Sequence, residues 1–190
     1  MLTFGIRRAL GAAAACTLLA ASAAPGLAQD AGPTADGLIL TTLQDICVPV
    51  IQHGELLAGI AQSIGFAELT GEDRAAMGGP DTAVWWLQST PEVILVVGRD
   101  LGDPGSPCRI AVATDPARAN AIHVPVGRWA EAQAPAYQLV DRRVDPRGPD
   151  EIWTWERFAG GVGQQLILSR TAHADGSVSS TIMLRLAPRQ

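Results

Sequence analysis

The chain has 190 residues with 14 basic and 19 acidic side chains, and every basic residue is arginine. Its net charge of −5 excludes the clustered cationic surface on which nucleic-acid binding rests. A charged fraction of only 17% beside 47% hydrophobic residues excludes a disordered chain, and the length suits one domain.

Residues 1–28 read as an export signal. Arg7 and Arg8 supply the positive start, and Ala9 to Ala21 is an apolar stretch without charge. Pro25-Gly26 breaks it, and small residues at Gly26 and Ala28 precede a cleavage point before Gln29. Arg7-Arg8 resembles half of a twin-arginine signal. Cys16 lies inside the apolar run and reads as an ordinary residue of that run rather than a lipid-attachment site. No later segment reaches 18 uninterrupted apolar residues, so no transmembrane segment is expected beyond the signal. The expected localisation is periplasmic or secreted.

Residues 29–37 carry turn formers and read as a disordered leader, so the expected domain spans 38–190. Leu40, Leu43, Cys47 and Val50 then recur at spacings of three and four, one apolar helix face that Pro49 is expected to kink or end by Val48. A second helix is expected over 55–64, with Gly65 as its C-cap and Phe66 packing back. Thr70-Gly-Glu-Asp73 resembles a capping box that opens a short helix to Met77.

From Thr82 the pattern turns to strands. Val84 to Leu87 is one, Val93 to Val97 reads as a strand buried on both faces, and Cys108 to Ala113 is a third. A short helix is expected around 126–133. Four strands over 136–144, 151–159, 163–171 and 177–186 then form a meander, with turns at Asp145-Pro146, Gly160-Gly161 and Asp175-Gly176. Short helices first and strands after predict an α+β fold, its helices packed on a mainly antiparallel sheet.

Beyond the signal only Cys47 and Cys108 remain. In an oxidising compartment an even pair predicts a disulfide, stapling the first helix to a strand. Closing a loop of roughly 60 residues stabilises by about 4 kcal/mol in the chain-entropy description. A redox role lacks a Cys-x-x-Cys, and two cysteines with three scattered histidines have no zinc-ligand spacing. No metal or cofactor is expected.

Catalytic signatures are absent. There is no nucleophile elbow, phosphate loop or dinucleotide fingerprint, so no catalytic residue is assigned. His53, His123 and His173 are the remaining acid–base candidates, and a triad at His173 would need Ser106 or Ser169 beside it. Glu151 and Glu156 fall on opposite faces of one strand by the two-residue period. Trp153 and Trp155 share a face with Arg157. They either complete a core beneath helices or form an aromatic patch whose arginine meets a carboxylate or carbohydrate. Trp85-Trp86 must point to opposite sides, one into the core and one outward, which makes Trp86 a further binding candidate. Arg142, Arg143 and Arg147 read as a solvated cationic edge that discourages strand pairing.

Cys47-Val-Pro49, His53-Gly54, Gly65-Phe66 and the later Cys108-Arg-Ile-Ala together resemble small exported bacterial proteins of uncharacterised function. The resemblance implies export, one domain and a disulfide, and carries no activity. The expected function is therefore a non-enzymatic exported domain that binds an envelope partner or a small ligand. A secreted hydrolase using a histidine with carboxylates, and an inhibitor of an envelope hydrolase, are the alternatives.

Overall fold

The computed structural model describes residues 34–144, 150–159 and 161–187. The expected export signal, leader residues 29–33, the Asp145-Pro146 turn, Arg147 and Gly160 lie outside them.

The first helix, α1 (Ala35–Thr42), starts inside the expected leader. Thr34 caps it, its Oγ1 accepting from the Gly37 N–H at 3.1 Å, and Asp36 sits favourably in the first turn. A π-helical turn, Leu43–Cys47, follows, and α2 (Val48–His53) continues the same rod. Pro49 therefore does not end the helix. The Val48 N–H bonds the Leu43 carbonyl five residues back, and this widened turn restarts the α-helix with Pro49 at its second position, where no N–H is needed. Gly54 closes it in the left-handed region at φ 67°. Next come α3 (Leu57–Ser63), a two-residue strand β1 (Ala67–Glu68) and α4 (Gly71–Met77). Phe66 is buried and packs back as expected, whereas the Thr70 side chain makes no capping bond.

The strands are β2 (Ala83–Ser89), β3 (Val93–Asp100), β4 (Cys108–Thr114), β5 (Gln138–Val144), β6 (Asp150–Ala159), β7 (Val162–Ala172) and β8 (Val178–Leu186). Between β4 and β5 lie α5 (Pro116–Ala121), capped by Asp115, and α6 (His123–Glu131). All eight strands form one antiparallel sheet in the order β1-β2-β3-β4-β8-β7-β6-β5. Each half of the order is a run of consecutive strands, and the last strands of the two runs, β4 and β8, pair at the centre. The fold is α+β, with the helices before the strands they cover.

The helices occupy one face. There Leu95, Val97, Ile110, Ile182, Leu184, Leu166 and Leu168 are fully buried against Ile39, Leu43, Ile46 and Val50 of the first helical rod and Val126 and Ala130 of α6. Each such aliphatic side chain contributes roughly 1.5–3 kcal/mol by leaving water. Cys47 and Cys108 form the expected disulfide, with Cα atoms 5.4 Å apart, and tie the π turn to β4 beneath this core.

Among the described residues no helix of the core packs on the other face. Its bareness corrects the reading of β3: Val93, Leu95 and Val97 are buried, but Ile94 between them is 43% exposed. The run was branched and continuous, yet only one side of it has anything to pack against.

Candidate functional site

The four binding candidates lie on the covered face. Trp153 and Trp155 of β6 are 3% exposed, Trp86 of β2 is 6% and Arg157 is 8%. The indoles therefore belong to the core and form no surface patch. α6 covers them: the His123 ring stacks on Trp153 at 4.9 Å and 4°, and Gly127 lets the helix approach so closely that a Cβ there would sit 3.4 Å from Trp155. Trp86 shares this face but sits five strands from β6, about 24 Å away at sheet spacing. The expectation that one of Trp85 and Trp86 faces water also fails. Trp85 points to the opposite face as the strand period requires, but its indole lies flat on Gly98 and stays 7% exposed.

Arg157 is a buried cation with neutral partners. Its Nε donates to Gln164 Oε1 at 2.8 Å, its Nη1 to the Pro135 carbonyl at 3.4 Å, and its guanidinium carbon lies 4.3 Å from the Tyr137 ring centre. The Tyr137 hydroxyl also donates to Gln164 Oε1, at 3.0 Å, and Gln52 Nε2 reaches it at 3.3 Å. Burial pushes the Tyr137 hydroxyl above its ordinary value of 10.0, against the opposing pull of the Arg157 charge. No carboxylate lies within ion-pair distance of Arg157 among the described residues. The cluster ties β6 and β7 to α2 and to the segment before β5.

A site accessible from solvent lies on the uncovered face, over β5 to β8. Strand register builds it in rows. Glu156, Gln165 and Arg185 stand opposite one another across β6, β7 and β8; next come Asp141, Thr154, Ile167 and Met183 from β5 to β8; then Arg143, Ile152, Ser169 and Thr181. These rows without Thr181, together with Val140, line an open trough of about 560 Å³, in the size range of ligand clefts. Its floor is aliphatic at Ile152, Ile167 and Met183. Its polar end is a relay in which Gln165 donates to Glu156 and accepts from Arg185 Nε and Nη2 at 2.9 and 2.7 Å. The Gln165 amide thus separates an arginine from a glutamate without joining them. On the β5 side Arg143 and Asp141 pair at 3.6 Å. A smaller recess of about 140 Å³ adjoins Trp85, lined by Arg99, Asp100, Ser106 and Arg109. Hydrogen bonds from Thr82 and the Gly102 N–H hold the Asp100 carboxyl below its usual range.

The acid–base candidates do not converge. His53 is exposed at the end of α2, and His123 lies under α6's first turn on Trp153. His173 Nε2 is 2.9 Å from Ser179 Oγ, on the exposed β7–β8 hairpin, rather than beside Ser106 or Ser169. The nearby Asp175 spends its Oδ1 on the Ser177 N–H and hydroxyl, which hold its carboxyl below the usual range, and no hydrogen bond from His173 to Asp175 occurs among the described residues. A triad needs its histidine oriented by a carboxylate, and that link is absent here. Glu151 and Glu156 do face opposite sides, Glu151 paired with Arg170 at 2.6 Å and Glu156 in the trough. Among the described residues no group of three metal-ligating side chains gathers, and no helix is long and apolar enough to cross a membrane.

Sequence reasoning missed the trough. The alternation of Thr181, Met183 and Arg185 against Ser180, Ile182 and Leu184 marks two unequal faces on β8. What it leaves unmarked is that the mixed faces of β5, β6 and β7 line up beside it with nothing above them. Set against family models, curated proteins and solved structures, the chain matches none.

Proposed function

We propose that this chain is an exported, non-enzymatic binding domain whose uncovered sheet face receives a segment of an envelope protein. The observation that carries this reading is the trough over β5 to β8: an aliphatic floor with a charged row at one end, open to solvent across four strands. Exposed apolar concavities rimmed by polar groups are the usual form of a recognition surface. Met183 on the floor suits adaptable contacts, and the Asp141–Arg143 and Glu156–Gln165–Arg185 groups offer charges of both signs to fix orientation. Export rests on the Arg7-Arg8 start, the apolar run and the small residues before Gln29. A buried disulfide suits an oxidising compartment.

A photo-crosslinking side chain at Ile167, compared with one at the exposed Arg128 on α6, tests the site in intact envelopes. The Ile167 position is expected to capture one protein that Arg128 does not, and Met183→Asp in the same chain is expected to abolish the capture. Equal labelling from both positions would remove the trough as the site. Native mass spectrometry distinguishes the small-ligand version of the reading, which leaves a bound mass on the purified chain.

A further inference from the structure

A different feature carries an inference that does not depend on the trough's ligand. Among the described residues β5 is the long unpaired edge of the sheet, whereas the opposite edge, β1, has two residues and is too short to template another strand. All seven β5 residues are exposed, and three are aliphatic: Leu139 at 52%, Val140 at 53% and Val144 at 62%. A bulge at Val140, which has no partner on β6, separates Leu139 from the regular stretch Asp141–Val144. That stretch opens Asp-Arg-Arg, a triplet that set against its own reverse opposes Asp141 to Arg143 at both ends.

We propose that β5 pairs antiparallel with β5 of a second copy of this chain, across a two-fold axis normal to the sheet and centred on Arg142. Such an axis returns every side chain to the same face, so opposed residues must share the strand's two-residue parity. Centring on Asp141 would oppose two carboxylates, and centring on Arg143 two guanidiniums on the uncovered face. Centring on Arg142 sets Asp141 against the partner's Arg143, twice by symmetry, while Val140, the bulged residue, stands outside this register. Asp141 and Arg143 already point to one face, where they pair at 3.6 Å within the strand. The one like-charged contact, Arg142 against its own copy, is relieved because the Arg142 guanidinium carbon is drawn 5.7 Å from the Trp153 ring centre, back over β6. The pairing joins the two sheets edge to edge. Val140, Asp141 and Arg143, which bound one trough, then stand at the middle of a continuous uncovered face shared by both copies.

Sedimentation velocity and light scattering on the purified chain, up to hundreds of micromolar, test the pairing. The wild-type chain is expected to reach twice its monomer mass. Asp141→Arg and Arg143→Asp alone each oppose like charges on both sides of the axis and are expected to raise the dissociation constant on the order of tenfold or more. The double variant Asp141→Arg/Arg143→Asp restores opposite charges and is expected to restore the dimer, which also shows that the single variants failed by charge rather than by folding. A wild-type chain that stays monomeric throughout overturns the proposal. So does a dimer indifferent to the single reversals, a double variant that remains monomeric, or an edge that takes up another protein while the chain itself stays monomeric.

Discussion

The two halves of the sheet are built to different ends. In the half from β1 to β4 one face and the edge are closed, and Trp85 fills part of the other face, where Ile94 stays exposed. The helical rod lies on one face, the disulfide pins that rod to β4, Trp85 lies flat on Gly98 on the other face, and the edge strand is two residues long. In the half from β5 to β8 only one face is closed, by α6 over Trp153 and Trp155. The opposite face holds the trough, and the edge strand is exposed along its length. Closure is concentrated where the chain secures its own fold, and exposure where a partner can be met. The same sheet thus sets a closed half beside an open one along its width, and the proposed recognition falls on the open one.

The comparison is broken most severely by removing the staple. Cys47→Ala/Cys108→Ala opens a loop with a sequence separation of 61 residues, and the chain-entropy description gives a loss of about 4 kcal/mol. Denaturant unfolding followed by tryptophan fluorescence is expected to show that loss. An unchanged midpoint would mean that the first half is held by packing alone. A smaller effect belongs to Gly98→Ala. A Cβ at Gly98 would run into the six-membered ring of Trp85, so the indole must move for it to fit. Overpacking of this kind costs typically 1–3 kcal/mol, read in the same unfolding experiment. A neutral substitution would show that Trp85 lifts freely and that it closes no part of the first half's uncovered face.

Much of this division was legible in residues, and its limits are specific. The meander strands sat close to where their turns placed them, because Asp175-Gly176 and the glycine at 161, both at positive φ, leave few other ways to turn. Cys47 and Cys108 were legible because, with Cys16 assigned to the expected export signal, they are the only pair left. Burial on β6 was not legible. Trp153, Trp155 and Arg157 alternate with Ile152, Thr154 and Phe158, so either side of the strand could face a core, and only the fall of α6 decides between them. Of the two expectations for Pro49, to kink or to end the helix, the ending does not occur, for a local reason: the rule that proline ends a helix assumes four-residue hydrogen bonds, and the π turn before it uses five. The trough is a property of four strands in register, and no single strand announces it.

Within the second half, the Tyr137–Arg157–Gln164 cluster is expected to hold through a polar bond rather than a covalent one, and to reveal this with pH. Tyr137 is the chain's single tyrosine, so phenolate absorbance reports it alone. Burial raises its folded value above the unfolded value near 10. The fold therefore favours the neutral phenol. Its contribution to stability is complete below pH 10 and is lost as pH rises from there through the higher folded value. The native absorbance titration is expected to have its midpoint above 10, and a midpoint at or below 10 would contradict the burial argument. Tyr137→Phe removes the 3.0 Å bond to Gln164 and is expected to cost about 1 kcal/mol at neutral pH. In that variant the alkaline loss of stability should flatten.

The smallest expected change in stability is the one that separates recognition from folding most cleanly. Ile167 and Leu168 are neighbours on β7, yet Leu168 is fully buried under the helices and Ile167 lies on the trough floor. Ile167→Thr keeps the branched side chain that a strand favours and adds a hydroxyl on a face already shared with Thr154 and Ser169. It is expected to alter stability by about 0.5 kcal/mol, the scale of a surface substitution. Leu168→Ala, one residue on, empties the core and is expected to cost about 2–5 kcal/mol. Paired unfolding midpoints measure the contrast. If the two costs came out alike, the trough floor would itself be core, the division of the sheet between folding and recognition would fail, and partner capture through Ile167 would lose its physical basis. If they differ as expected, loss of capture in Ile167→Thr reads the surface alone, because the fold that presents it is unchanged.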